Sequence, residues 1–128
     1  DDLDRISGKA LSRSRVLVVG LAYKKNVPDI RESPSLRLIE LIEERGGRAE
    51  FHDPHVDEIP STREHKPLQG RRSVDLTPEN LRGFDAVLVA TDHDGVDYAM
   101  IADSAVLIVD TRNVFGRLGL TNDSIVKA

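Results

Sequence analysis

The sequence predicts an α/β domain built on a doubly wound parallel sheet. Two apolar runs rich in β-branched residues, at positions 15–20 and 85–90, are typical of strands buried on both faces. Between them lie an amphipathic helical segment and a second strand at 48–52. Strands that alternate with helices over short connections pair in parallel through right-handed crossovers. We therefore expect three layers, with helices covering both faces of the sheet.

Length and composition allow a single domain with one core. The chain has 128 residues, of which 39% are hydrophobic and 31% charged, as in an ordinary globular protein. The net charge of −4 argues against a general nucleic-acid surface. Because the chain has no cysteine, it contains no disulfide, thiolate zinc site or cysteine nucleophile. Any thiol chemistry must come from outside these residues.

The length of the apolar runs and the residues at the N-terminus indicate in which compartment the protein is expected. The longest apolar runs are far shorter than the roughly 20 residues of a membrane span. The chain starts with Asp1, Asp2, Leu3 and Asp4, where a signal peptide would be basic and then apolar. We expect a cytoplasmic protein without membrane contact. The missing initial methionine suggests a piece of a longer polypeptide.

The first half of the chain predicts one βαβ unit. Residues 1–9 are interpreted as the tail of a connecting helix, and residues 15–20 as the first and most central strand. Ser33 precedes a proline, which is the usual start of a helix, and Gly46 ends the apolar stripe that follows. The second strand, at 48–52, stops before a proline that cannot continue a ladder.

The second half predicts further strands and helices around a variable excursion. Residues 55–76 are rich in turn formers and charges, so we expect no more than one short helix or strand there and little function. The remaining predictions are a helix capped by Thr77 and ending near Leu81, a strand at 85–90, a helix at 96–101, a strand at 105–109, and turns at Gly116 and Gly119.

The loop after the first strand is where a dinucleotide would bind in many such sheets. Ligands of doubly wound sheets lie beyond the carboxyl ends of the strands. A dinucleotide fingerprint would require glycine at the positions of Ala22 and Lys25. The expected fold is therefore Rossmann-like without the dinucleotide glycine fingerprint, and we do not expect NAD to rest against this loop.

Positive side chains gather at the same strand ends. Lys24, Lys25 and Arg31 follow the first strand, and Arg112 follows the last core strand. Together they supply enough local positive charge for a diphosphate. The alternatives are a solvated lysine pair, and an ion pair between Arg31 and a nearby carboxylate.

Two histidine-containing segments resemble metal ligands superficially. They are residues 52–55 (His-Asp-Pro-His) and 92–94 (Asp-His-Asp), and their spacing matches no strong zinc or calcium motif. We expect them to cap strand ends and bound the cleft. The chain also lacks a Gly-x-Ser-x-Gly elbow and a phosphate-binding P-loop, so hydrolase and P-loop functions are not supported.

The run at residues 20–34, Gly-Leu-Ala-Tyr-Lys-Lys-Asn-Val-Pro-Asp-Ile-Arg-Glu-Ser-Pro, closely resembles the signature that opens the C-terminal domain of the UDP-glucose/GDP-mannose dehydrogenase family. The resemblance continues at residues 52–54, 91–93 and 110–113 and covers about residues 9–120. The Thr-Asp-His and Asp-Ile-Arg-Glu-Ser forms look most like the branch that oxidises UDP-N-acetylhexosamines, such as UDP-N-acetylglucosamine 6-dehydrogenase.

This resemblance implies a two-domain, NAD-dependent enzyme that oxidises the C6 alcohol of a nucleotide sugar to a carboxylate. The catalytic cysteine of the family belongs to the N-terminal half, so this chain would hold no catalytic residue and be inactive alone. Tyr23 and Lys24 match positions that contact the UDP-sugar, and Arg112 matches a substrate-binding arginine. Arg31 matches an arginine that reaches NAD, a cofactor bound mainly by the other domain.

The resemblance also implies a domain division and partners. Residues 1–9 would end the interdomain helix, and residues 10–128 would form the nucleotide-sugar-binding domain. The partners would be a UDP-sugar, the enzyme's own N-terminal domain and further copies in a homo-oligomer, with a role in making polysaccharide precursors.

Two other functions stay open from the residues alone. One is a flavodoxin-like regulatory or interaction module, such as a phosphoacceptor receiver, which would need an acidic pair where Gly20 and Leu21 stand. The other is a scaffold that mainly mediates dimerisation.

Overall fold

A computed structural model describes residues 14–22, 34–62 and 65–127 of the chain. The elements of these ranges, in order, are β1 (Arg15–Val19), α1 (Pro34–Glu44), β2 (Arg48–His52), a 3₁₀ turn (Lys66–Leu68), α2 (Pro78–Arg82), β3 (Ala86–Val89), α3 (Tyr98–Ser104), β4 (Ile108–Asp110), α4 (Val114–Arg117) and β5 (Ile125–Lys127). No helix among them is long and apolar enough to cross a bilayer.

The strands form one parallel sheet in the order β2-β1-β3-β4-β5. The sheet grows first to one side of β1 and then to the other, so the predicted doubly wound fold is confirmed. The switch point lies between β1 and β3. The expectation that β1 is the most central strand was wrong, because β3 occupies the middle. Both runs are apolar throughout, and apolarity reports burial on two faces but not position in the sheet.

Alternate residues of β1 point into two separate apolar clusters, one on each face of the sheet. Val16 and Val18 join the cluster under α1, whereas Leu17 and Val19 join the cluster under α2, α3 and α4. All four side chains are fully buried. The same strands therefore serve both halves of the core.

The helix α1 confirms the strongest helical pattern of the sequence. Its residues Leu36, Ile39 and Ile42 are buried one turn apart and face the sheet. Gly46 has a φ of 87°, and Gly47 donates a hydrogen bond to the Ile42 carbonyl at 3.0 Å, so a left-handed glycine ends the helix. The predicted cap Ser33 and the predicted connecting helix at 1–9 lie outside the described residues.

The excursion at 55–76 is more closely tied to the core than the sequence suggested. The predicted short element is present as the 3₁₀ turn, and Glu58 forms a single antiparallel bridge with Arg72. Val56, Ile59 and Leu68 are buried in the cluster under α1. The excursion therefore extends that cluster beyond β2.

Several boundaries in the second half differ from the predicted ones. The helix expected at 96–101 is Tyr98–Ser104, because the Asp97 side chain caps it by accepting the Met100 N–H at 3.0 Å. The strand expected at 105–109 is Ile108–Asp110. Gly119 does lie in a turn, with a φ of 73°, but Gly116 belongs to α4 and β5 was not predicted.

Candidate functional site

The loop after β1 passes directly beneath the loop after β3. Gly20 has a φ of 94°, and a Cβ atom there would lie 2.6 Å from the Cβ and the carbonyl oxygen of Thr91. Only glycine allows this close approach. Gly20 holds the first glycine position of a possible dinucleotide fingerprint. Here it allows two loops to pack together, and Thr91 fills the space in which a pyrophosphate would approach the backbone.

The described part of this loop, residues 20–22, is held by hydrogen bonds at each residue. The Gly20 N–H donates to the His52 carbonyl at 2.8 Å, and its carbonyl accepts the Ser35 hydroxyl at 2.9 Å. The Ala22 carbonyl accepts the Thr91 hydroxyl at 2.7 Å. The N–H groups of residues 21 and 22 both donate to one carboxylate oxygen of Asp53, at 2.7 and 3.0 Å. The chain is therefore fixed up to the residue that precedes Tyr23.

Asp53 is a buried carboxylate at the end of β2, with 1% of its surface exposed. Its Oδ1 accepts the His55 N–H at 2.7 Å, and its Oδ2 lies 2.8 Å from Nε2 of His93. Burial alone would raise the pKa of Asp53, but the hydrogen bonds from His93 and from the backbone of His55, Ala22 and Leu21 together lower it. Asp53 is therefore ionised at neutral pH.

His93 is fully buried on the loop after β3. Its carbonyl accepts the Tyr98 hydroxyl at 2.7 Å, and its ring meets the His55 ring edge-on with 4.8 Å between centroids. Burial, followed by the charges of Asp92, Asp94 and Asp110, raises the pKa of Tyr98 well above its ordinary value. The Tyr98 hydroxyl therefore stays a proton donor. Both histidine-containing segments follow the ends of strands, as expected. Among the described residues, no group of three or more His, Cys, Asp or Glu side chains is arranged to hold a metal ion.

Arg112 lies at the end of β4 and is held from two sides. Asp110 is buried and accepts the N–H groups of Arg112 and Phe115, each at 3.0 Å. The Arg112 Nε donates to the Ala90 carbonyl at 2.9 Å. Within the described ranges its two terminal nitrogens have no hydrogen-bond partner, so the charged end of the guanidinium is available for an anionic ligand.

An open groove of about 600 Å³ runs from Arg112 along α1. Most of its surface is apolar and includes Leu38, Leu41 and Leu88, and Arg112 adds positive charge. Arg37 also lines the groove, but its guanidinium pairs with Glu44 at 3.4 Å. Such a surface can take a flat or apolar moiety together with an anionic group. The groove lies beside the strand ends where ligands of doubly wound sheets bind.

An ion pair joins the loop after β3 to α4. The Nη2 of Arg117 donates to Asp92 Oδ2 at 2.6 Å and contacts the Arg112 carbonyl at 3.3 Å. Sequence reasoning missed this pair, because the two residues are 25 positions apart and each looks like an ordinary surface charge.

Of the four predicted ligand-binding residues, the structure describes Arg112 alone. Tyr23, Lys24 and Arg31 lie outside the described residues, and so does Lys25. The structure adds Ser35 and Thr91 as side chains that hold the loop after β1. Thr91 belongs to the Thr-Asp-His motif at 91–93, but nothing in the sequence indicated which carbonyl its hydroxyl would bind.

Residues 17–117 match the UDP-binding domain of the UDP-glucose/GDP-mannose dehydrogenase family. A parallel sheet with a largely apolar groove beside Arg112, at the carboxyl ends of its strands, is typical of a ligand-binding α/β domain. With the match over most of its length, the chain belongs to the UDP-glucose/GDP-mannose dehydrogenase family, as its C-terminal UDP-binding domain.

Individual relatives agree with this assignment. The chain is 32% identical over 92 residues to UDP-N-acetyl-D-mannosamine dehydrogenase of Methanococcus maripaludis, covering 72% of this chain and 19% of that protein. It is 33% identical over 120 residues to UDP-glucose 6-dehydrogenase of Haloferax volcanii, covering 91% of this chain and 27% of that protein. The structure superposes on UDP-D-ManNAc dehydrogenase from Pyrococcus horikoshii with a TM-score of 0.70 and 25% identity, covering 98% of this chain and 27% of that one. The chain thus spans about a fifth to a quarter of the length of these relatives.

Proposed function

We propose that this chain is the nucleotide-sugar-binding part of an NAD-dependent UDP-sugar 6-dehydrogenase, which oxidises the C6 alcohol of its substrate to a carboxylate. The observation that carries the proposal is Arg112, which lines a largely apolar groove at the end of β4 and whose terminal nitrogens have no partner among the described residues. Family membership supplies the ligand class, a UDP-sugar. The catalytic cysteine would come from the N-terminal part of the enzyme, so the chain alone would be inactive.

Three side chains would bind the substrate and one would reach the cofactor. Arg112 and Lys24 would pair with the diphosphate, and Tyr23 would pack against the nucleotide sugar. Arg31 would contact NAD held mainly by the other domain. The described residues do not fit an NAD cradle of their own, because Thr91 occupies the space against Gly20 where a pyrophosphate would lie.

The substrate class we favour is a UDP-N-acetylhexosamine. The Thr-Asp-His motif at 91–93 supports this choice, and so do relatives named UDP-N-acetyl-D-mannosamine dehydrogenase. The alternative substrate is UDP-glucose, because another relative is named UDP-glucose 6-dehydrogenase. The intact enzyme would work in the cytoplasm as a homo-oligomer and supply precursors for polysaccharide synthesis.

Calorimetric titration of the chain with UDP, UDP-N-acetylglucosamine, UDP-N-acetylmannosamine, UDP-glucose and NAD tests the proposal. We expect saturable, salt-sensitive binding of the uridine ligands and no binding of NAD. Arg112→Ala and Lys24→Ala should each weaken UDP binding by about tenfold, because each removes one charge-assisted hydrogen bond.

The matched control is Arg72→Ala, which removes an exposed arginine that pairs with Glu58 at 3.2 Å on the excursion. This variant should bind UDP like the unaltered chain. Equal affinities for all three variants would remove the assignment of Lys24 and Arg112 to the substrate site. Absence of uridine binding both here and in the full-length enzyme would refute the proposed function.

A receiver-like regulatory module remains the competing function on topology alone, because the strand order found here is also that of flavodoxin-like proteins. At the end of β1, however, the chain places the buried residues Gly20 and Leu21 where an acidic pair would be needed. Uptake of phosphate from acetyl phosphate would favour this alternative.

A further inference from the structure

A fully buried histidine–carboxylate pair lies at the centre of the strand ends. Asp53 and His93 each have 0% of their side chains exposed, and 2.8 Å separates Oδ2 from Nε2. Asp53 follows β2 and His93 follows β3, so the pair joins two loops that are 40 residues apart in sequence. A buried charge of this kind is costly unless its partners are in place.

The proton arrangement of the pair follows from its neighbours. Oδ2 of Asp53 already accepts the N–H groups of Leu21 and Ala22, at 2.7 and 3.0 Å. An ionised carboxylate can only accept hydrogen bonds, so Nε2 of His93 must carry the hydrogen that points at it. One carboxylate oxygen therefore gathers three donors from the loops after β1 and β3.

The residues held by this oxygen lie next to the proposed ligand contacts. Ala22 directly precedes Tyr23 and Lys24. On the other side, Asp92 precedes His93 and binds Arg117, which in turn contacts the Arg112 carbonyl. The pair thus joins Ala22, which precedes two proposed ligand contacts in the sequence, to the loop whose Asp92 connects through Arg117 to Arg112.

We propose that the Asp53–His93 pair is a positioning element of the nucleotide-sugar site, which holds the backbone of residues 21 and 22 in the position needed for ligand binding. This inference rests on the proposed function. His93 does not touch the substrate and acts through Asp53 on the backbone of residues 21 and 22. Removal of the His93 donor should lower the stability of the fold, because Asp53 then has one partner fewer, and should release that backbone in the folded state.

The chain offers a control pair of the same chemistry. His65 Nδ1 lies 2.8 Å from Glu40 Oε1, and these side chains are only 17% and 20% exposed. This second pair joins α1 to the excursion and is separate from the hydrogen bonds that hold residues 20–22. Substitutions at residue 65 therefore measure how far UDP affinity changes when a histidine–carboxylate pair elsewhere in the domain is lost.

The test compares His93→Phe, His93→Gln, His65→Phe and the unaltered chain. UDP affinity is measured by calorimetry at a temperature where far-UV circular dichroism shows each variant folded. Amide hydrogen exchange is read at Leu21 and Ala22, with the Ile42 amide of α1 as reference. Phenylalanine keeps an aromatic ring but has no donor, whereas glutamine restores an N–H.

We expect His93→Phe to weaken UDP binding about tenfold and to speed exchange at residues 21 and 22 but not at residue 42, since one charge-assisted bond is lost. His93→Gln should recover most of the affinity, and His65→Phe should leave it unchanged. If His93→Phe does not fold, His93→Met replaces it, because methionine fills irregular space without a donor.

Three results would overturn the inference, and they can be told apart. Equal UDP affinity of His93→Phe and the unaltered chain would refute the positioning role and leave the proposed function standing. If neither the unaltered chain nor the full-length enzyme bound UDP, both would fail. A loss of affinity in His65→Phe equal to that in His93→Phe would also refute the role, because it would show a general effect of losing such a pair.

Discussion

Gly20 shows how one residue can be required by two loops at once. Its φ of 94° is open to few other residues, and the backbone of Thr91 fills the space where a side chain would begin. The sequence marked this glycine only as the end of a strand and the start of a possible fingerprint. The loop that it packs against is about 70 residues away, so local pattern could not reveal the contact.

Gly20→Ala should therefore be much more destabilising than an ordinary glycine substitution. Gly70 is the matched control, because its φ of 88° is similar but a Cβ added there would meet no described atom within 4 Å. We expect Gly70→Ala to cost about 1 to 2 kcal/mol from the left-handed conformation alone. Gly20→Ala should cost at least about 3 kcal/mol, because the clash adds to that strain. Urea unfolding followed by circular dichroism measures both, and equal costs would contradict the close approach.

Asp53 makes the stability of the fold depend on pH on the acid side. Its pKa is lower in the folded protein than in the unfolded chain, so the folded state binds fewer protons. This stabilisation is complete above the pKa that Asp53 has in the unfolded chain, at about pH 4. It is lost as the pH falls through the pKa that Asp53 has in the folded protein.

Asp53→Asn should lower the free energy of unfolding at about pH 7 and flatten its decline below about pH 4, because the amide does not titrate. The exposed Asp57→Asn is the control and should keep the slope of the unaltered chain. Urea unfolding at a series of pH values between about 3 and 7 gives both slopes. If the free energy of unfolding fell equally steeply below about pH 4 in Asp53→Asn and in the unaltered chain, other carboxylates would govern acid unfolding.

At the scale of elements, periodicity was most informative where it was long or uninterrupted. The strand at 48–52 and the helix from Pro34 were predicted with their boundaries, since a glycine or proline stands at the relevant end. The pattern was weaker after residue 95, where α3 has a competing start at Asp97. The Asp97 side chain caps this helix, so α3 begins and ends later in the sequence than predicted.

The short elements at the end of the chain were beyond sequence reasoning. β5 has three residues, too few to show alternation, and it exists because β4 offers an open edge for pairing. α4 contains Gly116, which normally argues against a helix, yet it is only four residues long and follows the left-handed Asn113. Tertiary contacts with the sheet outweigh propensity in both cases.

For the molecule as a whole, the central feature is that two apolar clusters share the strands of one sheet. Ile39 belongs to the cluster under α1 and Ile101 to the cluster on the opposite face. Neighbouring residues of β1 and β3 contribute to different clusters, so the packing of both faces depends on the same two strands.

We therefore expect a single unfolding transition for both faces. Methyl signals of Ile39 and Ile101, followed by NMR through a urea titration, should disappear at the same midpoint as the far-UV circular dichroism signal. An earlier loss of the Ile101 signal would show that the face under α2, α3 and α4 unfolds separately, and that the shared strands do not couple the clusters.

The fold class, most of the strands, the helix α1 and the family could be predicted from the sequence, because they depend on local periodicity and on a continuous run of signature residues. The sequence also identified Arg112 as a candidate for anion binding. The tertiary structure alone decided that β3 is central, that Gly20 packs on Thr91, and that Asp53 gathers donors from three loops. Each of these depends on residues brought together from different strand ends, and hydrogen bonds between such residues leave no periodic trace along the chain.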